Sequence, residues 1–285
     1  TDTGQAFFIG ESERGPLVPL LCRSLSDFTT QFGSRQSYSY LYDAVETFFR
    51  EGGSACWVSR VVSDTAVTAL LALAGSSGTS MTAKAYGPGT YGNSLQIVVD
   101  DNSDDAAIPS GSFRLSVIEA SAVIEQSPIF ADKTEALAWA ASNAKTITLT
   151  TGADTTDPVS IAATNLATGA DNRGAITDAE WQEALDRCTA DLGPGQVAMP
   201  GRTTSTAHLA LLGHARTRNR HGLLDLPDTP TVATLTAAAI TADGASDSAG
   251  RAGSAYWPWA VVPGLTALST RTVPYSAVQA GLCAR

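Results

Sequence analysis

Ser205, His208 and Asp225 carry the side chains of a hydrolytic triad: a hydroxyl nucleophile, an imidazole base and a carboxylate to orient it. The Gly-x-Ser-x-Gly turn that would expose such a serine is missing, and nothing in the spacing makes the three converge. His208, His214 and His221 lie on or beside one predicted helix. Zinc bound to a helix needs imidazoles about four residues apart, so that both rings share a face. Separations of six and seven residues, with no acid or thiol nearby, do not provide that. These histidines are expected to be partly exposed on an arginine-rich helix. Arg216, Arg218 and Arg220 make the one basic patch, suited either to an acidic partner surface or to a solvated helix end.

Gly87-Pro-Gly-Thr-Tyr-Gly92 spells Gly-x-Gly-x-x-Gly. A dinucleotide site needs a strand before those glycines and a helix N-terminus after them, to aim N–H groups at the pyrophosphate. Here a strand follows, from Leu95 to Val99, so a tight turn is the expectation. Asp101, Asp104 and Asp105 lack the twelve-residue calcium loop and its closing glutamate, and read as a solvated turn. Tyr256-Trp-Pro-Trp259 could stack a sugar or a base, but such aromatics more often bury their area in a core or interface. Cys22, Cys56, Cys188 and Cys283 are widely spaced and read as buried thiols in a reducing compartment rather than as a metal clip or disulfide framework. No catalytic, cofactor-binding or metal-binding residue is therefore expected.

The elements that must position these side chains fall into three stretches. Tyr40 to Val62 is the best marked. Leu41, Val45, Phe48 and Phe49 form an apolar helix face, Gly52-Gly53 stops the helix, and Cys56 to Val62 reads as a buried strand. Residues 5–10 read as another strand, and Ser26-Asp27 as the cap of a short helix ending at Gly33. From Ser63 to about Asp171 the chain turns to Thr, Ser, Ala, Gly and Asp. Strands are expected over 94–100, 112–119, 122–127 and 146–150, with one helix over 132–144. Beyond it, Thr177-Asp-Ala-Glu180 resembles a capping box. A strand over 195–200, a helix over 205–221, a strand over 222–225, a helix over 231–242 and an aromatic strand over 255–262 follow. The fold class expected is mixed α/β. A discontinuous α/β core, residues 1–62 and 172–285, carries an inserted β-rich sandwich or barrel at 63–171.

Composition bounds the function. Net charge is −10, which disfavours nucleic acid and anionic membrane surfaces. No apolar run is long enough to cross a bilayer. Charged residues make up 16%, low for a soluble domain, as suits a protein covered by neighbours. Three lysines against fifteen arginines equally suit an ordinary domain from a GC-rich genome.

Taken in order, several segments resemble contractile tail sheath proteins of phages and related injection machines. These are Gly10 with Glu13-Arg-Gly-Pro16; Ser26-Asp27-Phe28 with Phe32-Gly33; and the whole of Tyr40 to Val62. Tyr86 to Asn93, followed by Leu95 to Val99, resembles that family's "G-x-W-G-N" element, with Tyr91 in place of Trp. Gln196 to Gly201, Arg220 to Asp225, Ala255 to Trp259 and Val273 to Gly281 complete the series. In the last segment Tyr275 and Ala277 depart from "V-P-P-S-G-x-V-A-G". The resemblance implies a non-enzymatic subunit that stacks as hexameric rings around an inner tail tube. Its partners would be further copies of itself, the tube protein, and baseplate and tail terminator proteins, in a virion tail assembled in the bacterial cytoplasm. Contraction would release energy stored at assembly through a change of subunit packing. In that family terminal arms add strands to neighbouring sheets. Those arms, and the completion of the core after Arg285, are expected outside this sequence. The competing expectations are a bacterial injection device of the same design, an enzyme using Asp225, His208 or the Gly87 loop, and a glycan-binding middle domain.

Overall fold

The computed structural model describes residues 5–228, 231, 233, 252–264, 266 and 268–285. The chain divides into two compact units. One comprises residues 1–64 and 175–285, and the other residues 65–174. The helix expected over 231–242 falls outside the described residues, apart from positions 231 and 233.

Among the described residues, the first unit is built on a six-stranded sheet. Its strands are β1 (Gln5–Gly10), β2 (Leu20–Cys22), β3 (Ala55–Arg60), β11 (Gly195–Ala198), β12 (Arg220–Asp225) and β13 (Gly253–Tyr256), in the order β13-β12-β11-β1-β3-β2. All neighbours run parallel except β2, which is antiparallel to β3. Parallel sheets are covered on both faces, so their strands read as apolar runs. Gln-Ala-Phe-Phe-Ile-Gly of β1 shows why. Ala6 and Phe8 face one core with Val58, Ala198 and Leu223, whereas Phe7 and Ile9 face the other with Val197 and Leu224.

Helices α1 (Leu25–Phe32), α2 (Leu41–Arg50) and the last helix, α6 (Ser276–Ala284), cover the first face through Phe28, Phe32, Leu41, Val45, Phe48, Ala277 and Ala280. Helices α4 (Asp178–Asp186) and α5 (Ser205–Thr217) cover the second through Trp181, Leu185, Ala207, Leu211 and Ala215. The α2 stop is a left-handed glycine cap. Gly52 sits at φ +111 and donates to Phe49 O, and Gly53 donates to Phe48 O. The capping box of α4 forms as its sequence suggests: Thr177 and Glu180 satisfy each other's backbone. The cap of α1 lies two residues earlier than the sequence suggests. Ser24 accepts Asp27 N–H at 3.0 Å, and Asp27 in turn accepts Arg23 N–H at 2.9 Å.

The crossing of α6 over α2 depends on Gly281. A Cβ there would lie 2.6 Å from Glu51 Cβ and 3.0 Å from Phe48 O. Gly213 of α5 is the opposite case: it is exposed, and a Cβ there would have nothing within 4 Å. Gly281→Leu is expected to destabilise the fold by roughly 1–3 kcal/mol through overpacking. Gly213→Ala is expected to stabilise it by about 0.5–1 kcal/mol. Urea unfolding of the two variants checks both, and equal effects would mean that α6 does not pack as described.

The second unit contains two antiparallel sheets. One holds β4 (Leu70–Ala74), β5 (Thr79–Ala85) and β9 (Ile147–Thr151), in the order β4-β5-β9. The other holds β6 (Gln96–Asp101), β7 (Phe113–Glu119), β8 (Ala122–Phe130) and β10 (Ile161–Asn165), in the order β10-β6-β7-β8. Both sheets and helix α3 (Lys133–Ser142) share one core: Leu73, Met81 and Ile147 meet Ile97, Val99, Phe113, Leu115, Phe130 and Ala136. Asp132 caps α3 by accepting Thr134 and Glu135 N–H. Gly92 permits close approach, since a Cβ would lie 2.7 Å from Ala69 Cβ and 2.8 Å from Ala85 Cβ. The architecture as a whole is mixed α/β.

Candidate functional site

Several segments of the first unit meet at Asp225, the last residue of β12. Its carboxylate accepts Ser276 N–H at 2.9 Å, Ser276 Oγ–H at 2.7 Å and Gly201 N–H at 3.1 Å. Ser276 opens α6, so the carboxylate also sits at the positive end of that helix. Gly201 is in the left-handed region, at φ +82, and a Cβ there would strike the ring of Tyr40. Tyr40 packs edge-on against Trp259 at 5.3 Å, and Trp259 Nε1–H donates to Leu226 O at 2.8 Å. Burial pushes the Asp225 carboxyl up to about 6, and its three donors pull the other way.

The hydrolytic triad does not form. His208 Nε2–H donates to the backbone carbonyl of Asp225 at 3.0 Å, while the Asp225 carboxylate is turned to Ser276. Ser205 is exposed on the first turn of α5. His208 and His214 are buried, not partly exposed as their sequence setting suggests. Burial, then Arg220 and Arg218, lower His214 to about 4. It is therefore a neutral acceptor for the Arg220 guanidinium, at 2.8 Å. His221 lies on β12, not on α5, and contacts Ser254 Oγ at 3.0 Å.

Arg220 is likewise not part of a basic surface patch. Its guanidinium lies 3.6 Å from the centroid of Phe7 and donates to Cys188 O, Thr189 O and Gly193 O. The reason is its position: as the first residue of β12 it points in at the amino end of the sheet, where three loop carbonyls need donors.

Arg60 does the same at the carboxyl end of β3, donating to Gly15 O at 2.9 Å and Ser12 O at 3.3 Å. Glu13 accepts Ser34 N–H at 2.8 Å and Ser34 Oγ–H at 3.0 Å. Asp43 of α2 is fully buried between Arg35, at 3.0 Å, and Arg271, at 3.2 Å. Both contacts are within ion-pair range, but neither carboxylate oxygen is aligned for a hydrogen bond. Burial raises the Asp43 carboxyl, and Arg271 and then Arg35 offset part of that rise. Arg271 lies on β15 (Thr270–Val273), which forms a hairpin with β14 (Ala260–Pro263), and also donates to Ser39 O at 2.7 Å. This ion cluster ties the hairpin to α2. An aspartate inside the apolar face of α2 is its one visible signal in the sequence; the two arginines carry none.

The glycine-rich stretch is a turn, as its context suggests. Its second half belongs to a short 3-10 turn at Thr90–Ser94, and Thr90 N–H and Oγ1–H donate to the Asp171 carboxylate. Asn93 and Gly169 exchange two hydrogen bonds. Asp101 caps Ser103, and Asp100 and Asp105 pair with Arg114. The aromatic segment is not one strand: Trp257, Pro258 and Trp259 separate β13 from β14. Among the described residues, no helix is long and apolar enough to cross a membrane. Among the same residues, no group of three His, Cys, Asp or Glu side chains is placed to hold a metal ion.

Two sets of sheet edges are candidates for a partner. Among the described residues, the main sheet ends on β2 and β13. In the second unit, nine-residue β8 is an edge strand with Val123, Ile124 and Ile129 exposed. Long edge strands carrying aliphatic side chains are what proteins usually cover or interrupt. Here Pro128, Glu125 and two register shifts in the pairing with β7 interrupt it, and the aliphatic side chains stay exposed.

No protein-family model matches the chain, and no curated protein matches it. Among solved structures it is similar to the sheath tail protein Lin1278 from Listeria innocua, with a TM-score of 0.59 and 14% sequence identity. The match covers 79% of this chain and 48% of that one, so the chain spans about half the length of the solved structure it matches. At that identity the likeness is one of fold, and this chain has a tail-sheath-like fold.

Proposed function

We propose that the chain is a structural, non-enzymatic subunit of a contractile tail sheath. Copies would stack as hexameric rings around an inner tail tube, and contraction would drive the tube through a target cell envelope. Further copies, the tube protein, and baseplate and tail terminator proteins are the partners, in a virion tail assembled in the bacterial cytoplasm. The division into a core of residues 1–62 and 172–285 and an inserted domain of 63–171 is part of this reading.

One observation carries it: the segments that resemble sheath proteins converge, in a sheath-like fold, on internal locks. Asp225, Gly201 and Ser276 come from three such segments, and Gly15, Arg60 and Tyr40 from others. Their polar groups are spent on the chain itself, which holds a rigid body rather than presenting a reactive centre. Rigid bodies repacked between two lattices are what contraction without local chemistry requires. The exposed β8 edge supplies apolar surface for neighbours.

Sedimentation velocity of the complete gene product over a hundredfold concentration range tests the mode of association. Heterologous contacts that do not close give open-ended growth. A broad, concentration-dependent series of fast species is expected. A single small closed oligomer, or a monomer throughout, contradicts the proposal.

A further inference from the structure

The antiparallel register of β2 and β3 places Cys22 directly opposite Cys56. Opposed residues point to the same face of a sheet, and both thiols are free and buried in the same core cluster. Directly opposed positions hold Cβ atoms about 4.5–5.5 Å apart, and a disulfide needs about 3.5–4.5 Å. The remaining gap is small, and β2 is the element able to close it. It has three residues and, among the described residues, β3 as its one neighbour in the sheet. The other two cysteines are placed differently: Cys188 packs in the core on the opposite face, and Cys283, expected from the sequence to be buried, is exposed near the end of α6.

We propose that Cys22 and Cys56 are an oxidisable cross-strand dithiol, which a small-molecule disulfide converts into a covalent staple between β2 and the sheet. One cysteine thiolate attacks the reagent disulfide, forms a mixed disulfide and releases one reduced thiol. The second cysteine sulfur attacks the protein sulfur of that mixed disulfide and releases the other. Two electrons and two protons pass from the protein to the reagent, and one protein S–S bond forms. Burial pushes Cys22 up to about 12 and Cys56 well above the ordinary thiol range, so both are inert while β2 is in place. Local opening of the edge strand is the step that admits the reagent.

The test is to hold the folded protein in oxidised glutathione, block residual thiols with iodoacetamide and digest with trypsin without reduction. A cross-linked pair of peptides, residues 15–23 and 51–60, is expected. The thermal midpoint should rise by about 10 °C, as closure of a loop of this length implies. A thiol reductant should reverse the rise, and Cys22→Ser and Cys56→Ser should each abolish it. Quantitative recovery of both cysteines in alkylated form after prolonged oxidation would overturn the proposal. So would cross-linking through Cys283 alone. The wild-type peptide map decides the matter even if a serine variant fails to fold.

Discussion

Asp43→Ala is expected to destabilise the first unit by about 3–5 kcal/mol, the usual consequence of removing one member of a buried ion cluster. The variant leaves Arg35 and Arg271, both largely buried, without the anion between them. Arg35 keeps Glu46, and its guanidinium stays over Tyr42 at 4.9 Å. Arg271 keeps Ser39 O and Gln36 O, and stays over Tyr40 at 5.0 Å. These contacts position the arginines but do not neutralise both. The Asp43 carboxylate is itself raised by burial, so the cluster as a whole contributes little net stability. Two consequences follow. The single variant should unfold at much lower urea, with the β14–β15 hairpin exchanging its amide hydrogens fastest. The triple variant Asp43→Leu, Arg35→Met, Arg271→Met should recover most of the loss. A loss below about 1 kcal/mol for Asp43→Ala would mean that the carboxylate is not enclosed as described.

Asp225 produces the second large effect, and its pH dependence identifies it. Its carboxyl titrates at about 6 in the folded chain, against an ordinary value of 3.8. The folded state therefore holds this proton longer than the unfolded state. The contribution is favourable below about pH 4, falls as pH rises from 4 to 6, and stays lost above that. The full change is about 3 kcal/mol at roughly 1.4 kcal/mol per unit. Asp101, Asp132, Asp191 and Glu180 are shifted down by hydrogen bonds, and their contributions are lost in the opposite direction, as pH falls. Asp225→Asn cannot titrate, so the difference between wild type and this variant isolates the slope. Asp225→Ala should lose about 3–5 kcal/mol at neutral pH and still more below about pH 4, where the wild-type carboxyl keeps its proton. It strands the amides of Ser276 and Gly201 and the Ser276 hydroxyl in a buried site. A difference curve flat between pH 4 and 6 would remove Asp225 from the role described.

What the sequence discloses depends on how local the cause is. The α2 helix, its Gly52-Gly53 stop and the strand after it are readable because spacing, cap and strand occupy consecutive residues. The α4 capping box is likewise contained in four residues. Strands β4, β5 and β10 escape such reading: Leu-Leu-Ala-Leu-Ala, Thr-Ser-Met-Thr-Ala-Lys-Ala and Ile-Ala-Ala-Thr-Asn offer small residues that become strands only by pairing with distant partners. The α1 cap is displaced because Ser24 and Ser26 are both good caps, and Asp27, three residues after Ser24, closes back on Arg23 N–H while Ser24 accepts Asp27 N–H. Arg220 and His214 read as surface because charge is usually outside. Burying them requires three loop carbonyls that no local pattern announces. The Asp225–Ser276 pair spans 51 positions. Each half is visible separately, Asp225 as a triad letter and Ser276 as part of a motif.

The central claim concerns assembly, so the most direct measurement is negative-stain electron microscopy of the complete gene product, with and without its inner tube protein. The proposal predicts striated tubes or stacked six-fold rings, growing in length with concentration and nucleated by the tube. Dispersed globular particles at every concentration, unchanged by the tube protein, would contradict it.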